Sequence, residues 1–567
     1  MNEHFPNVVL IMTDDQGWGD IHDHSNNLID TPVLGQLRNE GARFNRFFVS
    51  PVCAPTRASL LTGRYYLRTG VHGVTRGYET MRSQEETLAE ILKSSGYATG
   101  CFGKWHNGAH YPHHPNGQGF DEFTGFCAGH WNNYFDTTLD HNGTMIQTQG
   151  YITDVLTDRA LQFIELNQNN PFFCYIPYNA PHSPWQVPDK YFNKYKQKGL
   201  TDKLACAYGM VENVDESIGR ILSRLDVLGL AENTIVIFLT DNGPNSDRYN
   251  GDMRGRKGSV HEGGVRIPCF IRWPGTIEPG TRVKHIAADI DILPTIVDLA
   301  GIPVSPSNAL DGVSLKPLLL GEHTDWEHED RMLFTFRDDA GNGEPGAVRN
   351  QRWRAVCDGG GEWELFDMVA DPGEREDVAI QYPDVLDQLV AAYEAIVEDT
   401  TSRGFAVIPV EIGHSERPEV MLPAHEAFLY PENGDGISYQ GSAGWANDWV
   451  TNWSDTDAYP YWEVDIQKSG PYAFTLMYVC SEENVGAEVA VQIGEQTLQE
   501  HIEQAHDPEP VPSPDRVPRN EVYEKTWTPL QLGQLELNEG RQQVKVKVLR
   551  KPGDQVMDLK AIQVTSI

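Results

Sequence analysis

Three short stretches of this sequence combine residue types in ways that could do chemistry. Asp14 and Asp15 follow directly on the apolar run NVVLIMT, within TDDQGWGD. Adjacent carboxylates at the end of a strand repel each other unless a cation lies between them. Hard cations such as calcium favour such an oxygen-rich arrangement. Asp241 and Asn242 repeat the pattern after TIVIFLT, within TDNGPN. Either pair alone reads equally well as a polar turn. Two such strand ends in one parallel sheet can converge, however, and together they supply three carboxylates and one amide oxygen. That set suits calcium or magnesium better than zinc or copper, because it needs neither thiolate nor imidazole. The third stretch is CAPTRASLLTGR, beginning at Cys53. Pro55 fits the first turn of a helix and Gly63 its end. Cys53 then lies at a helix N-terminus, where backbone N–H groups favour an anion. Arg57 follows one turn later and can face the same site. A lone cysteine would otherwise read as structural or merely reactive.

These residues need elements to hold them. Residues 1–325 alternate short apolar runs with helical patterns. Runs over 7–13, 96–102, 172–177, 234–240 and 268–272 read as buried strands. The spacing predicts helices over 87–95 and 202–228, the latter with Leu204, Tyr208, Val211, Val214, Ile218, Ile221 and Leu225 on one face. Alternation of this kind implies a mostly parallel, doubly wound α/β sheet. Sites in such sheets lie at the carboxyl ends of the strands, where the acidic pairs stand. Residues 326–400 read as a small α+β subdomain with a helix over 384–398. A linker-like stretch, 400–418, follows. Residues 419–567 are β-rich, without helical periodicity, and read as an accessory β-sandwich. Of Trp445, Trp449, Trp453, Trp462 and Trp527 in this last part, a core role is favoured over sugar stacking, since Trp is highly buried on average.

The chain has 567 residues, with 45 basic and 81 acidic side chains, for a net charge of −36. Such an acidic chain excludes general binding of nucleic acid or of anionic membrane. An anion site must therefore be a local cluster of Lys, Arg and His. Eight cysteines are scattered without a CxxC pair; Cys174 and Cys269 sit in apolar runs and read as buried structural thiols. The sequence shows no transmembrane stretch and no signal peptide. A periplasmic or secreted location with the export signal absent from this chain is expected, with a cytoplasmic one as the alternative.

The run CAPTRASLLTGR resembles the C/S-x-P-x-R-x-x-x-L-T-G signature of type I sulfatases, members of the alkaline-phosphatase-like superfamily. Other elements recur in the family's order: TDDQGWGD, GKWHNG, GFDEFTGF, APHSPW, TDNGP and RGRKGSVHEGGVRIP. The late WELFDMVADPGERED resembles the family's C-terminal subdomain. The resemblance spans about residues 5–400 and leaves out the β-rich remainder. It implies that Cys53 is oxidised to formylglycine by a formylglycine-generating or anaerobic sulfatase-maturating enzyme that reads C-x-P-x-R. Asp14, Asp15, Asp241 and Asn242 match the family's calcium ligands, with the modified residue 53 completing the shell. Arg57 matches the residue that supports the formylglycine. Lys104 and His106 match a sulfate-binding lysine and a histidine beside the nucleophile. His182 and Lys257 match groups around the sulfate and the leaving oxygen. The departures are Asn107, where the family often has Leu, and Arg256, where many members have Gly. The implied reaction is hydrolysis of a sulfate ester, with His182 giving a proton to the leaving alcohol.

The substrate is less legible. Arg76, His130, Trp131, Trp185 and Arg254 are candidate substrate-binding residues, because rings stack on sugar faces while polar tips bind hydroxyls. His110–His114, Asn132, Tyr134 and Tyr249 carry the same types; packed loops explain them equally. An added β-domain and an acidic surface resemble the polysaccharide sulfatases, so a sulfated glycan of carrageenan, ulvan or fucan type is the expected partner. An arylsulfatase, a phosphonate or phosphate monoester hydrolase, and a non-catalytic glycan-binding protein are the alternatives.

Overall fold

A computed structural model describes residues 5–303, 307–322, 326–337, 344–441 and 445–567. The run NVVLIMT forms the strand Asn7–Thr13, every residue of it buried. Val8, Leu10 and Met12 enter one apolar cluster while Val9 and Ile11 enter another. A strand apolar on both faces belongs in the middle of a parallel sheet covered on both sides. Among the described residues that sheet has ten strands. Asn7–Thr13 is flanked in parallel by Phe172–Pro177 and Thr234–Thr240. Ala98–Lys104 continues the parallel order beyond Phe172–Pro177, followed by Glu122–Phe126. Cys269–Arg272 pairs antiparallel with Thr234–Thr240 on the other side. The result is the mostly parallel α/β sheet expected, with helices such as Asp202–Val227 packed on it.

One strand is displaced from its expected position. The run expected over 96–102 is instead Ala98–Lys104. Gly96 has φ +92° and its N–H donates to Lys93 O, so it closes the preceding helix. The shift carries the strand on to Lys104 and delivers that side chain to the sheet's carboxyl edge.

Leu333–Phe336, Gly346–Arg349, Trp353–Cys357 and Glu364–Asp367 form a four-stranded antiparallel sheet, packed with the helix Pro383–Thr401. The expected boundary at residue 325 lies outside the described residues. Further on, two six-stranded sheets share a core around Trp453, Trp462 and Ile562. The stretch expected to be a linker is partly ordered into this unit. Val410–Ile412 pairs in parallel with Tyr459–Ile466 and buries Ile412 in the same core. Three residues are too few for an alternation signal to stand out.

Candidate active site

The register of the central strands explains why the two acidic pairs meet. Thr13 and Thr240 are partners in the parallel ladder, so Asp14 and Asp241 leave the sheet side by side. Asp241 N–H donates to Thr13 O at 3.0 Å, and Asp15 N–H to Asp241 Oδ1 at 3.1 Å. Asp15 adopts φ +67°, a sparsely populated conformation of the kind that clusters at functional sites.

Cys53–Thr62 is a fully buried helix that ends at Gly63, φ +67°, as the sequence predicts. Its first turn points at the acidic edge. Thr56 Oγ1 donates to Asp241 O at 2.7 Å. Arg57, one turn in, donates to Asp241 Oδ2 and to Lys104 O, both at 2.8 Å. Arg57 therefore ties the helix start to two strand ends. Lys104 Nζ lies 2.6 Å from Asp14 Oδ2, and Lys257 Nζ 2.6 Å from Asp15 Oδ1. Three carboxylates thus face three cations in a cluster that is buried except for the partly exposed Lys257.

The donor set fits a divalent cation. Asp14 Oδ1, Asp15 Oδ2 and Asn242 Oδ1 are buried without a hydrogen-bond partner. Ligand atoms of Asp14, Cys53 and Asp241 lie within 4.8 Å of one another. Buried oxygens left unpartnered are costly, and hard cations take such oxygens. The carboxylates also register the crowding. Burial and neighbouring Asp14 push Asp241 up to about 6, and burial raises Asp14. Against burial, Lys257 and His182 hold Asp15 well below the usual range.

Above this cluster opens a pocket of about 420 Å³, bordered by Asp15, Cys53, His106, His130, His182, Trp185 and Lys257. His182 Nδ1 hydrogen-bonds Ser183 O at 2.7 Å, and its Nε2 stands 3.7 Å from Asp15 Oδ2. Burial and Lys257 lower His182 to about 4. His130 stacks parallel to it at 6.4 Å, with its own Nε2 unpartnered. His106, at φ +61°, bonds Val74 O through Nε2 at 3.0 Å and leaves Nδ1 unpartnered. The ten residues Asp14, Asp15, Cys53, Arg57, Lys104, His106, His182, Asp241, Asn242 and Lys257 are thus brought to one place.

Three expected substrate residues are not brought there. Trp131 stacks on Phe126 at 5.2 Å and borders a separate cavity. Arg76 lies over the Tyr439 ring at 5.5 Å. Arg254 reaches outward to Glu364 at 2.9 Å, a carboxylate of the four-stranded sheet. The 110–114 histidines are also committed elsewhere: His110 to Glu426, His113 to Met81 O and His114 to Asp140. Tyr134 donates to the carbonyls of His182 and Ser183 and is fully buried, so it supports the histidine loop. In their place, the pocket wall comes from Trp445 and from residues 517–521, which belong to the β-rich C-terminal part. Sequence reasoning missed residues 517–521 and favoured a core role for Trp445, which is instead partly exposed in the pocket wall. The available signal was length: residues 502–527 carry no helix and nothing beyond one isolated bridge, and long structureless connections in compact domains are usually functional.

Fold and site together define an α/β enzyme built to bind and hydrolyse an anionic ester. The chain belongs to the sulfatase family and is a sulfuric ester hydrolase: the Sulfatase family model matches residues 6–302. The model described as N-sulphoglucosamine sulphohydrolase, C-terminal, matches residues 256–398. Among curated relatives, the N-acetylgalactosamine-6-sulfatase of Canis lupus familiaris is 33% identical over 373 residues, covering 59% of this chain and 69% of that protein. The human protein of the same name is 32% identical over 371 residues, covering 59% and 69%. Among solved structures, Ps i-CgsB in complex with k-i-k-neocarrahexaose superposes with TM-score 0.66 at 31% identity, covering 70% of this chain and 94% of its own.

Proposed function

We propose that this protein hydrolyses a sulfate ester on a sugar of a sulfated polysaccharide or oligosaccharide, of carrageenan, ulvan or fucan type. In this reading Cys53 is converted to formylglycine by a maturating enzyme, and calcium is held by Asp14, Asp15, Asp241 and Asn242. The observation that carries it is the convergence of three carboxylates, three cations and Cys53 at a helix N-terminus beneath an open pocket. The sugar assignment is supported by the relatives, whose names specify an N-acetylgalactosamine sulfate and a neocarrahexaose.

The charges account for binding. Three carboxylates cancel Arg57, Lys104 and Lys257, so a divalent cation leaves a net positive floor. That local sign overrides the acidic bulk, because distant charges are screened beyond about 10 Å at 0.1 M salt. When present, the formylglycine supplies a hydrated aldehyde as nucleophile and the cation supplies positive charge at the sulfate oxygens. Lys104 and Lys257 hold fixed positive charge where negative charge accumulates in the transition state. His182 is oriented by its Nδ1–H bond to Ser183 O, which leaves Nε2 facing the pocket. A bound anionic ester raises the ring above its value of about 4, and Nε2 then holds the proton for the leaving alcohol. His106 Nδ1, unpartnered at the pocket edge, can take a proton from the group at position 53.

The test is sulfate release by protein co-expressed with a maturating enzyme, with the residue-53 peptide checked by mass. Substrates are 4-nitrophenyl sulfate, galactose 4- and 6-sulfates, N-acetylgalactosamine 6-sulfate, κ- and ι-neocarratetraose, and a 4-nitrophenyl phosphonate ester. Release from at least one sugar sulfate is expected, with loss on chelation and in Cys53→Ala. Turnover of the aryl sulfate or phosphonate alone would sink the glycan reading.

A further inference from the structure

The 502–527 connection leaves its own β-unit and lies on the α/β part. Arg516 bonds Asp189 and Val187 O. Ser513 and Asp515 both accept from Gln186 Nε2 at 2.8 Å. Arg519, almost fully buried, reaches back to Asp515 and across to Asn132 O at 2.8 Å. Glu524 accepts from Asn132 Nδ2 at 3.1 Å. Clamped at these points, residues 517–521 form one wall of the pocket above Cys53.

Glu521 is the charged residue of that wall that is not consumed by the clamping. One carboxylate oxygen accepts from Ser183 Oγ, next to His182. The other is buried and has no partner, and the residue as a whole is 8% exposed. A carboxylate fixed at the edge of a sulfate pocket repels sulfate, so its free oxygen is useful only toward a hydrogen-bond donor. On a sugar that donor is a hydroxyl.

We propose that Glu521 is a specificity-determining residue, whose carboxylate, with one oxygen unpartnered and covered in the free protein, turns at the pocket wall to accept a hydrogen bond from a free hydroxyl on the sugar ring that carries the sulfate. The C-terminal β-unit is then a working part of the substrate pocket. A charge-assisted hydrogen bond of this kind is among the stronger ones. The same carboxylate disfavours a ring with a second sulfate at that hydroxyl. The inference rests on the assignment of a sugar sulfate as substrate.

The experiment compares wild type, Glu521→Gln and Glu521→Ala on 4-nitrophenyl sulfate and on whichever sugar sulfate the wild type cleaves fastest. For both variants, kcat/KM on the sugar is expected to fall at least about tenfold further than on the aryl sulfate, which offers no hydroxyl. The additional loss is expected mainly in KM. Glu521→Gln keeps the side chain's shape and an acceptor toward Ser183, so it serves if the alanine variant folds poorly. Equal losses on both substrates would mean that Glu521 acts only through the His182 loop, and would overturn the proposal. Unchanged kinetics on the sugar would overturn it as well. Wild type that cleaves the aryl sulfate and no sugar would instead defeat the glycan reading, and this inference with it.

Discussion

Lys257 reaches Asp15 from a glycine-rich loop, yet its Nζ is 2.6 Å from a buried carboxylate. An acidic partner this close fixes the ammonium at the pocket floor, beside Cys53 and His182. Removing one preorganised charge from such a site typically costs about 10²–10³-fold in rate. Lys257→Ala is therefore expected to lower kcat/KM for a sulfate ester by about that factor, measured as released sulfate. A loss below about tenfold would place Lys257 outside the transition-state contacts. At this scale the sequence was most legible. The catalytic and ligand candidates each sit in a short motif, and the motif fixes which side chain projects from a strand end or helix start. The substrate candidates were legible only in part. His130 and Trp185 border the pocket, whereas Arg76, Trp131 and Arg254 found partners elsewhere. Residue type alone does not reveal which partner wins.

The loop that carries Lys257 is held by a short helix, Glu262–Val265. Gly263 N–H donates to Arg254 O at 2.7 Å. Glu262 itself is buried between Arg349 and Arg354, at 2.8 and 2.6 Å. Burial alone would raise Glu262, but the two guanidiniums hold it down at about 2. This knot joins the loop that carries Lys257 to the four-stranded sheet. Glu262→Gln removes the carboxylate that Arg349 and Arg354 share, of which Arg354 keeps a second, Glu374 at 3.3 Å, and breaking a buried pair costs about 3–5 kcal/mol. Denaturant unfolding of the variant should show a loss of that order. A change within about 0.5 kcal/mol, the usual range for surface substitutions, would contradict the assignment. The run HEGGVRIP around Glu262 is visible in the sequence as a family-like motif. Its partners Arg349 and Arg354 lie 87 and 92 residues further on, and no local pattern links them to it.

His110 and Glu426 join the α/β part to the C-terminal β-unit through a part-buried contact of 2.8 Å. Burial would lower His110, but Glu426 and, further off, Glu79 raise it above its ordinary value. Glu79 is itself pushed up to about 8 by burial and Glu426, and nearby His113 and His425 are both lowered to about 4 by burial. A histidine raised on folding contributes stability that is fully present below its unfolded pKa, about 6.5, and is lost as pH rises through the folded value. The thermal midpoint of wild type should therefore exceed that of His110→Gln most between about pH 4.3 and 6.5, with the gap narrowing above as His110 loses its proton and below as Glu426 gains one. A pH-independent gap in a scanning series would rule out this contribution.

Sequence by itself determined the chemistry of the site. The motifs placed two acidic pairs after apolar strands and Cys53 at a helix start, and a parallel sheet necessarily sends equivalent strand ends to one edge. Tertiary structure alone decided what stands above that chemistry. The wall of residues 517–521 comes from a connection more than 450 positions from Cys53. Its placement depends on Arg516, Arg519 and Glu524 finding partners on another part of the chain. Such long-range pairing has no period and no spacing, so Glu521 became visible only once the two parts were seen in contact.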